Sequence, residues 1–468
     1  MLRQKVILYN PRSVFYTMPL ALLALGSYVD PEKYEIKILD GRIDDEDAVL
    51  DACKDAICFG VTVLTGAPIH DALHITRKAK QRYPKLVTIW GGWHPSLFPH
   101  ETLSEASVDM VVNGQGEIPF AALLDAIINK NDLNKINGIF FKKGDHVIAT
   151  APQPLHEIND FPKLNYDLLH VEKYFKLKGR RQLDYISSQG CRFRCSFCAD
   201  PFMYKRGWYG FSPQRMAEEL EELWKKYQFD DVNFQDETFF TSRDRVEGIA
   251  KEILQRGLQF TWFGTMRADQ GSRMDDPLYK LCKRSGLRKV MIGVEAGSQE
   301  MMDWMKKDIK IEQVYESAEK CLRNGIAIIF NIILGFPHET ESSIDESLRV
   351  ARELRKMSPD FELGIFYFKP YPGNAIADQL LQEGYRFPNG LEEWAKFDYV
   401  GSSNDWINKE QYERIEAFKF YQRIGWNRSQ VLLSLVKKLA QWRCRKNNYS
   451  FPVEKMVYEW IKPPVRLS

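Results

Sequence analysis

From Lys5 to about Lys130, short apolar runs alternate with stretches in which apolar residues recur every three or four positions. The runs are KVILYN, YEIKILD, AICFGVTVL, LVTIWGG and VDMVVNG. Continuous runs of this length read as strands and the periodic stretches as helices, which is the rhythm of βαβ units. It predicts a parallel sheet covered by helices on both faces, with ligands at the carboxyl ends of the strands. Those ends carry Asp40-Gly41-Arg42, then Thr62, Leu64, Thr65 and Gly66, then Gly91 and Gly92 ahead of Trp93-His94-Pro95, then Gly114, Gly116 and Glu117. Glycine at such a place lets the backbone approach a ligand closely.

The rhythm breaks after residue 135. INGIFFKKGDHVIAT reads as a hairpin turning at Gly144-Asp145, and Pro152, Pro154 and Pro162 mark a linker. A second series follows: LDYISSQG, DDVNFQDE, FTWFGTMRAD, KVMIGVEAGS, IAIIFNIILGFP and FELGIFYFKPYPG. Six strands with helical spacers fit a partial (β/α)6 barrel, whose chemistry belongs at the strand carboxyl ends. From about Leu380 the pattern is helical and polar. The expected organisation is an α/β domain over 1–135, a linker over 136–180, a barrel core over 181–375 and a mostly helical region over 376–468.

Composition changes this picture little. The 65 basic and 63 acidic residues nearly cancel, which removes any global electrostatic argument for nucleic acid as a partner. MPLALLALGSYV, from Met18, is too short to cross a bilayer and reads as a buried helix after the first strand. Cys53, Cys58, Cys282, Cys321 and Cys444 are scattered among apolar or helical patterns, as reduced thiols of a cytoplasmic protein are.

The remaining cysteines differ. GCRFRCSFCAD places Cys191, Cys195 and Cys198 at C-x3-C-x2-C spacing directly after the first strand of the second series. A closed zinc site takes four ligands and a disulfide framework an even number, whereas three thiolates can hold three irons of a cubane and leave the fourth open. An incomplete zinc knuckle or a chance cluster is the alternative. At these residues the chain resembles the radical S-adenosylmethionine superfamily, whose signature is C-x3-C-x2-C with an aromatic residue before the last cysteine, here Phe197.

That resemblance implies a 4Fe-4S cluster on the three cysteines and S-adenosylmethionine on its open iron. Phe197 belongs to its cofactor-binding loop, Gln235, Asp236 and Glu237 of QDET lie near the methionine amine, Arg267 ends the third strand beside Asp269, and Glu295 and Ser298 of GVEAGS contact ribose and carboxylate. ILGFP from Ile333 and YFKPYPG from Tyr367 resemble the segments that line the adenine and close the barrel. Taken alone, QDET reads equally well as a solvated loop or helix cap, and GVEAGS as a turn into a cap.

The N-terminal unit, through GVTVLTGAPI, WGGWHPSLFP and VVNGQGE, resembles the flavodoxin/Rossmann-like cobalamin-binding domain that precedes one large branch of this superfamily. Many such domains ligate cobalt through a histidine in D-x-H-x-x-G, but the corresponding loop here is ILDGRIDD. Cobalamin is therefore expected without a protein imidazole. His94 and His70 are the nearest histidines in sequence, and His94, between Trp93 and Pro95, is expected to be a packed loop residue. A Rossmann-like module that binds nothing, or serves as a partner surface, is the alternative.

The resemblance implies reductive cleavage of S-adenosylmethionine to a 5'-deoxyadenosyl radical and methylation of an unactivated carbon of a small-molecule or lipid-like substrate. A cobalamin-containing cyclase or oxidoreductase without methyl transfer is the second enzyme reading, and a cluster- and corrin-binding sensor is the third. Phe239, Phe240, Trp262, Phe263, Phe366 and Tyr367 make the strand ends aromatic, which suits a planar substrate but more often marks barrel core. A flavodoxin or ferredoxin is the expected electron donor. In residues 429–448, Val431, Leu432, Leu435, Leu439 and Trp442 recur at helical spacing, with Lys437, Lys438, Arg443, Arg445 and Lys446 beside them. The stripe is expected to pack over the barrel, its basic end serving the electron donor; a membrane surface is the less favoured partner.

Overall fold

The computed structural model describes residues 3–398, 400–426 and 434–456. They form two compact units: one comprises the stretch up to Met266, Pro277–Arg288 and Lys369–Val400, the other Arg267–Asp276, Lys289–Phe368 and the stretch from Gly401.

The first unit opens with the predicted sheet. Its strands are β1 (Gln4–Asn10), β2 (Tyr34–Asp40), β3 (Cys58–Thr62), β4 (Val87–Gly91), β5 (Met110–Val112), β6 (Ile139–Lys143) and β7 (His146–Ala149), in the order β2-β1-β3-β4-β5-β6-β7. The first five pair in parallel, and the order reverses between β1 and β3, the crevice where open α/β sheets bind ligands. MPLALLALGSYV supplies the helix Leu20–Tyr28. The hairpin anticipated at Gly144-Asp145 forms as β6 and β7, and it extends the sheet antiparallel to β5 rather than spanning a gap between domains. Its inward residues Ile139 and Phe141 are buried, and apolar residues at alternate positions give a strand a reason to join a sheet edge.

Ile7, Phe59, Val61, Trp90 and Val111 form one face of the core, closed by Leu391 and Trp394 from the short helix Leu391–Trp394. That helix falls in the stretch assigned from sequence to the helical C-terminal region, yet it packs on the first sheet. Trp394 is fully buried there, and a large aromatic side chain brings roughly 3 kcal/mol on burial, one of the contributions that offset the entropy of ordering the return segment.

The second strand series begins in the same unit with β8 (Gln182–Tyr185), β9 (Ser188–Gly190), β10 (Trp208–Gly210), β11 (Asp231–Phe234) and β12 (Thr261–Met266). β8, β11 and β12 pair in parallel. β13 (Leu287–Glu295), β14 (Ala327–Leu334) and β15 (Phe361–Tyr367) continue the series, also in parallel, with a register irregularity between Gly293 and Glu295. All six expected barrel strands are present. In the core Phe239 stacks on Phe234 and Phe240 on Trp262, with Phe239 and Trp262 in contact, so these aromatics are packing residues; Phe366 is exposed.

The C-terminal helices Lys409–Gly425 and Ser434–Lys446 pack on each other in the second unit. Here the expectation of a buried stripe fails. Leu435, Leu439 and Trp442 are exposed, because the helix packs through Ala440, Arg443 and Cys444 on its opposite side. Arg443 is a buried partner of Glu454, not part of a free basic end, while Lys438, Arg445 and Lys446 are exposed. Val431 and Leu432 lie outside the described residues. Among the described residues no helix is long and apolar enough to cross a membrane.

Candidate active site: a cysteine loop beside a glycine-lined cavity

The cysteine loop is pinned at its base. β9 and β10 pair antiparallel, Gly190 opposite Trp208, so the chain from Cys191 to Gly207 leaves and returns at one point. Gly190 has φ +85°, and a Cβ there would lie 2.3 Å from the Gly207 carbonyl oxygen, so no other residue fits. The carboxyl end of β11 grips this base. Asp236 accepts from Ser187 N (2.7 Å), Ser187 Oγ (2.6 Å) and Ser188 Oγ (2.5 Å). Glu237 accepts from Gly190 N (3.1 Å) and from the Tyr204 hydroxyl (3.0 Å). Arg245 donates to the Ser187 carbonyl (2.7 Å) and the Phe211 carbonyl (2.8 Å). Burial, reinforced by nearby Asp200, pushes Glu237 up to about 8.

The loop's far side is held by the return segment. Asn374 Nδ2 donates to the Phe197 carbonyl (3.0 Å), while its Oδ1 caps the helix Ala375–Gln382. Ile376 N donates to the Ser196 carbonyl (3.1 Å).

Cys191 and Cys198 are partly exposed, Cys195 is buried, and none of the eight cysteines forms a disulfide. Burial raises the Cys198 thiol well above its ordinary range, and Asp200, Cys195 and Cys191 add to the rise. Cys195 and Cys191 thus both oppose ionisation of the Cys198 thiol, a cost that a cationic iron core would reverse. Among the described residues no three His, Cys, Asp or Glu side chains converge on a single metal ion. Cubane ligands need no such convergence, since each thiolate takes a different iron. The donor set fits a cluster.

Above the carboxyl ends of β1, β3, β4 and β5 lies a cavity of about 440 Å³. Of the residues expected to hold a corrin, Thr62, Leu64, Gly91, Gly92, Gly114, Gly116 and Glu117 line it. Thr65 and Gly66 are not among the residues lining it; Thr65 is buried, its hydroxyl 3.4 Å from His94 Nδ1. The opposite wall comes from the cysteine-loop side: Ile186, Gln189, Met203, Tyr204 and Gln235. Trp93 meets Tyr204 edge to face across it, ring centroids 6.4 Å apart. Thr17 and Met18 close one side, tethered by Arg42 to the Thr17 carbonyl (2.7 Å) and by Met18 N to Asp184 Oδ2 (2.7 Å). Small glycine walls, a mostly apolar lining and a few polar groups suit a large flat ligand.

His94 faces away from this cavity. It is fully buried between Phe98 and Trp394, and burial depresses it to about 3. His70 is exposed on the helix Pro68–Arg82. Glu117, buried at the cavity wall, is raised by burial against the pull of helix N-terminal amides.

The second unit holds the other candidates. Arg267 is buried and donates to Asp269 Oδ1 (2.9 Å) and to the Lys307 carbonyl (2.6 Å). Glu295 Oε1 receives Lys307 Nζ at 2.7 Å. Ser298 caps the helix Gln299–Trp304 through Met301 N. Glu339 accepts from Gly335 N (2.6 Å) and Phe336 N (3.1 Å), fixing the turn of ILGFP, and burial raises it to about 7.

Tyr204, Asn374 and Lys307 escaped the reading of the sequence. Only the asparagine carried a signal, standing as it does where a helix cap belongs after Pro372-Gly373.

Two family models match this chain: one described as the radical SAM superfamily over residues 185–351, the other as the B12 binding domain over residues 9–124. The chain is 30% identical to an uncharacterised methyltransferase of Pyrococcus horikoshii, the match covering 78% of this chain and 79% of that one. It is 25% identical to the anaerobic magnesium-protoporphyrin IX monomethyl ester cyclase of Synechocystis, over 74% of this chain and 70% of that one. Its fold is similar to that of the radical S-adenosylmethionine methyltransferase TsrM from Kitasatospora setae, solved with cobalamin and a [4Fe-4S] cluster: TM-score 0.69, 17% identity, 86% of this chain and 83% of that one covered. With a cysteine loop, a glycine-lined cavity beside it and both family matches in one chain, this protein belongs to the radical SAM enzymes that carry a B12 binding domain.

Proposed function

We propose that this enzyme is a cobalamin-dependent radical SAM methyltransferase acting on an unactivated carbon of a small-molecule or lipid-like substrate. The observation that carries this reading is the single cavity whose one wall is Gly91, Gly92, Gly114 and Gly116 and whose other is Gln189, Tyr204 and Gln235 from beside the cysteine loop. When bound, the cluster supplies the electron that breaks a sulfur–carbon bond of S-adenosylmethionine, and cobalamin carries the methyl group. Cys191, Cys195 and Cys198 hold the cluster. Phe197 flanks it. Gln235, Arg267, Glu295 and Ser298 would contact S-adenosylmethionine, Asp236 and Glu237 brace the loop, and the cavity walls, which include no histidine, would hold the corrin. Water is kept out by the apolar side of the cavity, Leu8, Leu20, Leu64 and Phe120, which protects reactive species from quenching.

In this reading the corrin domain spans 1–135 together with the hairpin β6–β7 that extends its sheet, and the radical core spans 181–375. Exposed Val14, Phe15 and Tyr16, just ahead of the cavity-lining Thr17, favour an apolar substrate. Exposed Lys438, Arg445 and Lys446 offer an acidic flavodoxin or ferredoxin a place to dock in the cytoplasm.

The resemblance to the Synechocystis cyclase supports a second reading, ring formation without methyl transfer. The two are separated by incubating the anaerobic holoenzyme in its cob(I)alamin state with S-adenosylmethionine. A methyltransferase gives one S-adenosylhomocysteine per corrin before any substrate is added. Its absence, with 5'-deoxyadenosine still formed, would leave the cyclase reading.

A further inference from the structure

A buried lysine that the chemistry above does not use stands behind Glu295. Its ammonium lies 2.7 Å from Glu295 Oε1, and both side chains are buried. Room for the pair is made by Gly293, where a Cβ would lie 2.1 Å from Glu295 Oε1 and 3.1 Å from Lys307 Nζ. Glu295 itself has φ +67° at the β13 irregularity. The turn that delivers the lysine is also held in an uncommon conformation: Lys306 has φ +52° and Asp308 φ +54°. Arg267 Nη2 fixes this turn by donating to the Lys307 carbonyl at 2.6 Å, and Lys307 N donates to the Met302 carbonyl at 3.0 Å.

Three non-glycine residues in left-handed backbone, gathered on one buried ion pair, are costly to keep; each such residue and each desolvated charge works against folding. An apolar pair of the same volume would be at least as stable, so stability alone gives no reason for the lysine. What the lysine does provide is a fixed direction for the carboxylate. It engages Oε1 through a charge-assisted hydrogen bond and leaves Oε2 outside the pair.

We infer that Lys307 is a positioning residue for S-adenosylmethionine: it holds the Glu295 carboxylate in a fixed orientation, so that Oε2 accepts from the ribose hydroxyls. This rests on the reading of Glu295 as a cofactor contact, and the test separates the two. The anaerobically reconstituted full-length protein is compared with Lys307→Met, Lys307→Arg, Glu295→Gln and the Lys307→Met/Glu295→Gln double variant. Equilibrium dialysis measures S-adenosylmethionine binding, thermal unfolding checks integrity, and 5'-deoxyadenosine formation gives KM and kcat separately.

Lys307→Met and Glu295→Gln should each weaken binding about tenfold, the size of one lost charge-assisted hydrogen bond. KM should rise with kcat nearly unchanged, and Lys307→Arg should bind within about threefold of the parent. The double variant should bind within about twofold of Glu295→Gln, since a residue acting through another adds nothing once that other is gone. Normal binding by Glu295→Gln would overturn the cofactor reading of Glu295. Weak binding by Glu295→Gln with normal binding by Lys307→Met would overturn the positioning role alone. Additive losses in the double variant would also overturn it, by making Lys307 a direct ligand. Should Lys307→Met fail to fold, Lys307→Gln takes its place in the same cycle.

Discussion

The hydroxyl of Tyr204 donates to Glu237 Oε1 at 3.0 Å, and Glu237 Oε2 in turn accepts from the Gly190 amide at 3.1 Å, so one carboxyl joins the cavity wall to the foot of the cysteine loop. Replacing Glu237 by alanine removes the acceptor from both donors and leaves a buried amide unpaired, a loss of about 2 kcal/mol concentrated on the loop. Glu237→Ala is expected to hold less iron after reconstitution and to lose it several-fold faster to a chelator. Glu237→Gln, which keeps an acceptor, should stay near the parent. Equal iron release from the alanine variant would show that the loop does not depend on this carboxyl.

Gly190 tests the same loop through the backbone. Alanine there meets the Gly207 carbonyl oxygen at 2.3 Å and takes on a left-handed φ of +85°. The β9–β10 ladder must then open, and the three thiols lose their common footing. Gly190→Ala should contain under half the parent's iron, by elemental analysis, with cleavage of S-adenosylmethionine falling in step, whereas Cys191→Ala, Cys195→Ala and Cys198→Ala should each abolish cleavage. Parent-level iron in Gly190→Ala would mean the loop is not shaped by this turn.

His94 gives a pH dependence. Burial lowers it from 6.5 to about 3, so between these values the unfolded chain holds a proton that the folded chain does not. Stability therefore falls as pH drops below about 6.5, by roughly 2 kcal/mol near pH 5 from this residue alone. His94→Gln, keeping a polar partner for Thr65, should flatten the acid limb of the unfolding midpoint while leaving bound cobalamin unchanged. An unaltered acid limb would show that the histidine titrates normally. Nitrogen hyperfine coupling from a histidine in the Co(II) spectrum of the parent would contradict a cobalt free of imidazole.

Much of the site was legible because it is local. Three cysteines within eight residues share a loop whatever the fold does, and glycines after strands fall at strand ends once the βαβ rhythm is recognised. Thr62, Gly91, Gly92, Gly114 and Gly116 were found this way, and all of them line the cavity. Thr65 and Gly66 have the same sequence signal, but the chain turns just beyond Leu64 and carries Thr65 to His94 instead. A one-dimensional pattern gives the end of a strand, not the direction of the turn that follows it.

Long-range pairing was not legible. Asn374 meets Phe197 across 177 positions and Trp394 fills the core of the first sheet from the far end of the chain, and no periodicity encodes such partners. The exposed Leu435, Leu439 and Trp442 make the same point in reverse. Their spacing is that of a buried stripe, and burial depends on which neighbour the helix meets. The sequence by itself therefore determined the α/β class, the succession of strands along the chain and the placing of three cysteines in one loop, because these depend on contacts within a few residues and on the two periodicities of strand and helix. The tertiary structure alone decided that Tyr204 joins the glycines around one cavity, that Glu237 braces the cysteine loop and that Lys307 sits behind Glu295. Each of these depends on side chains brought together from separate strand ends, where distance along the chain carries no information about distance in space.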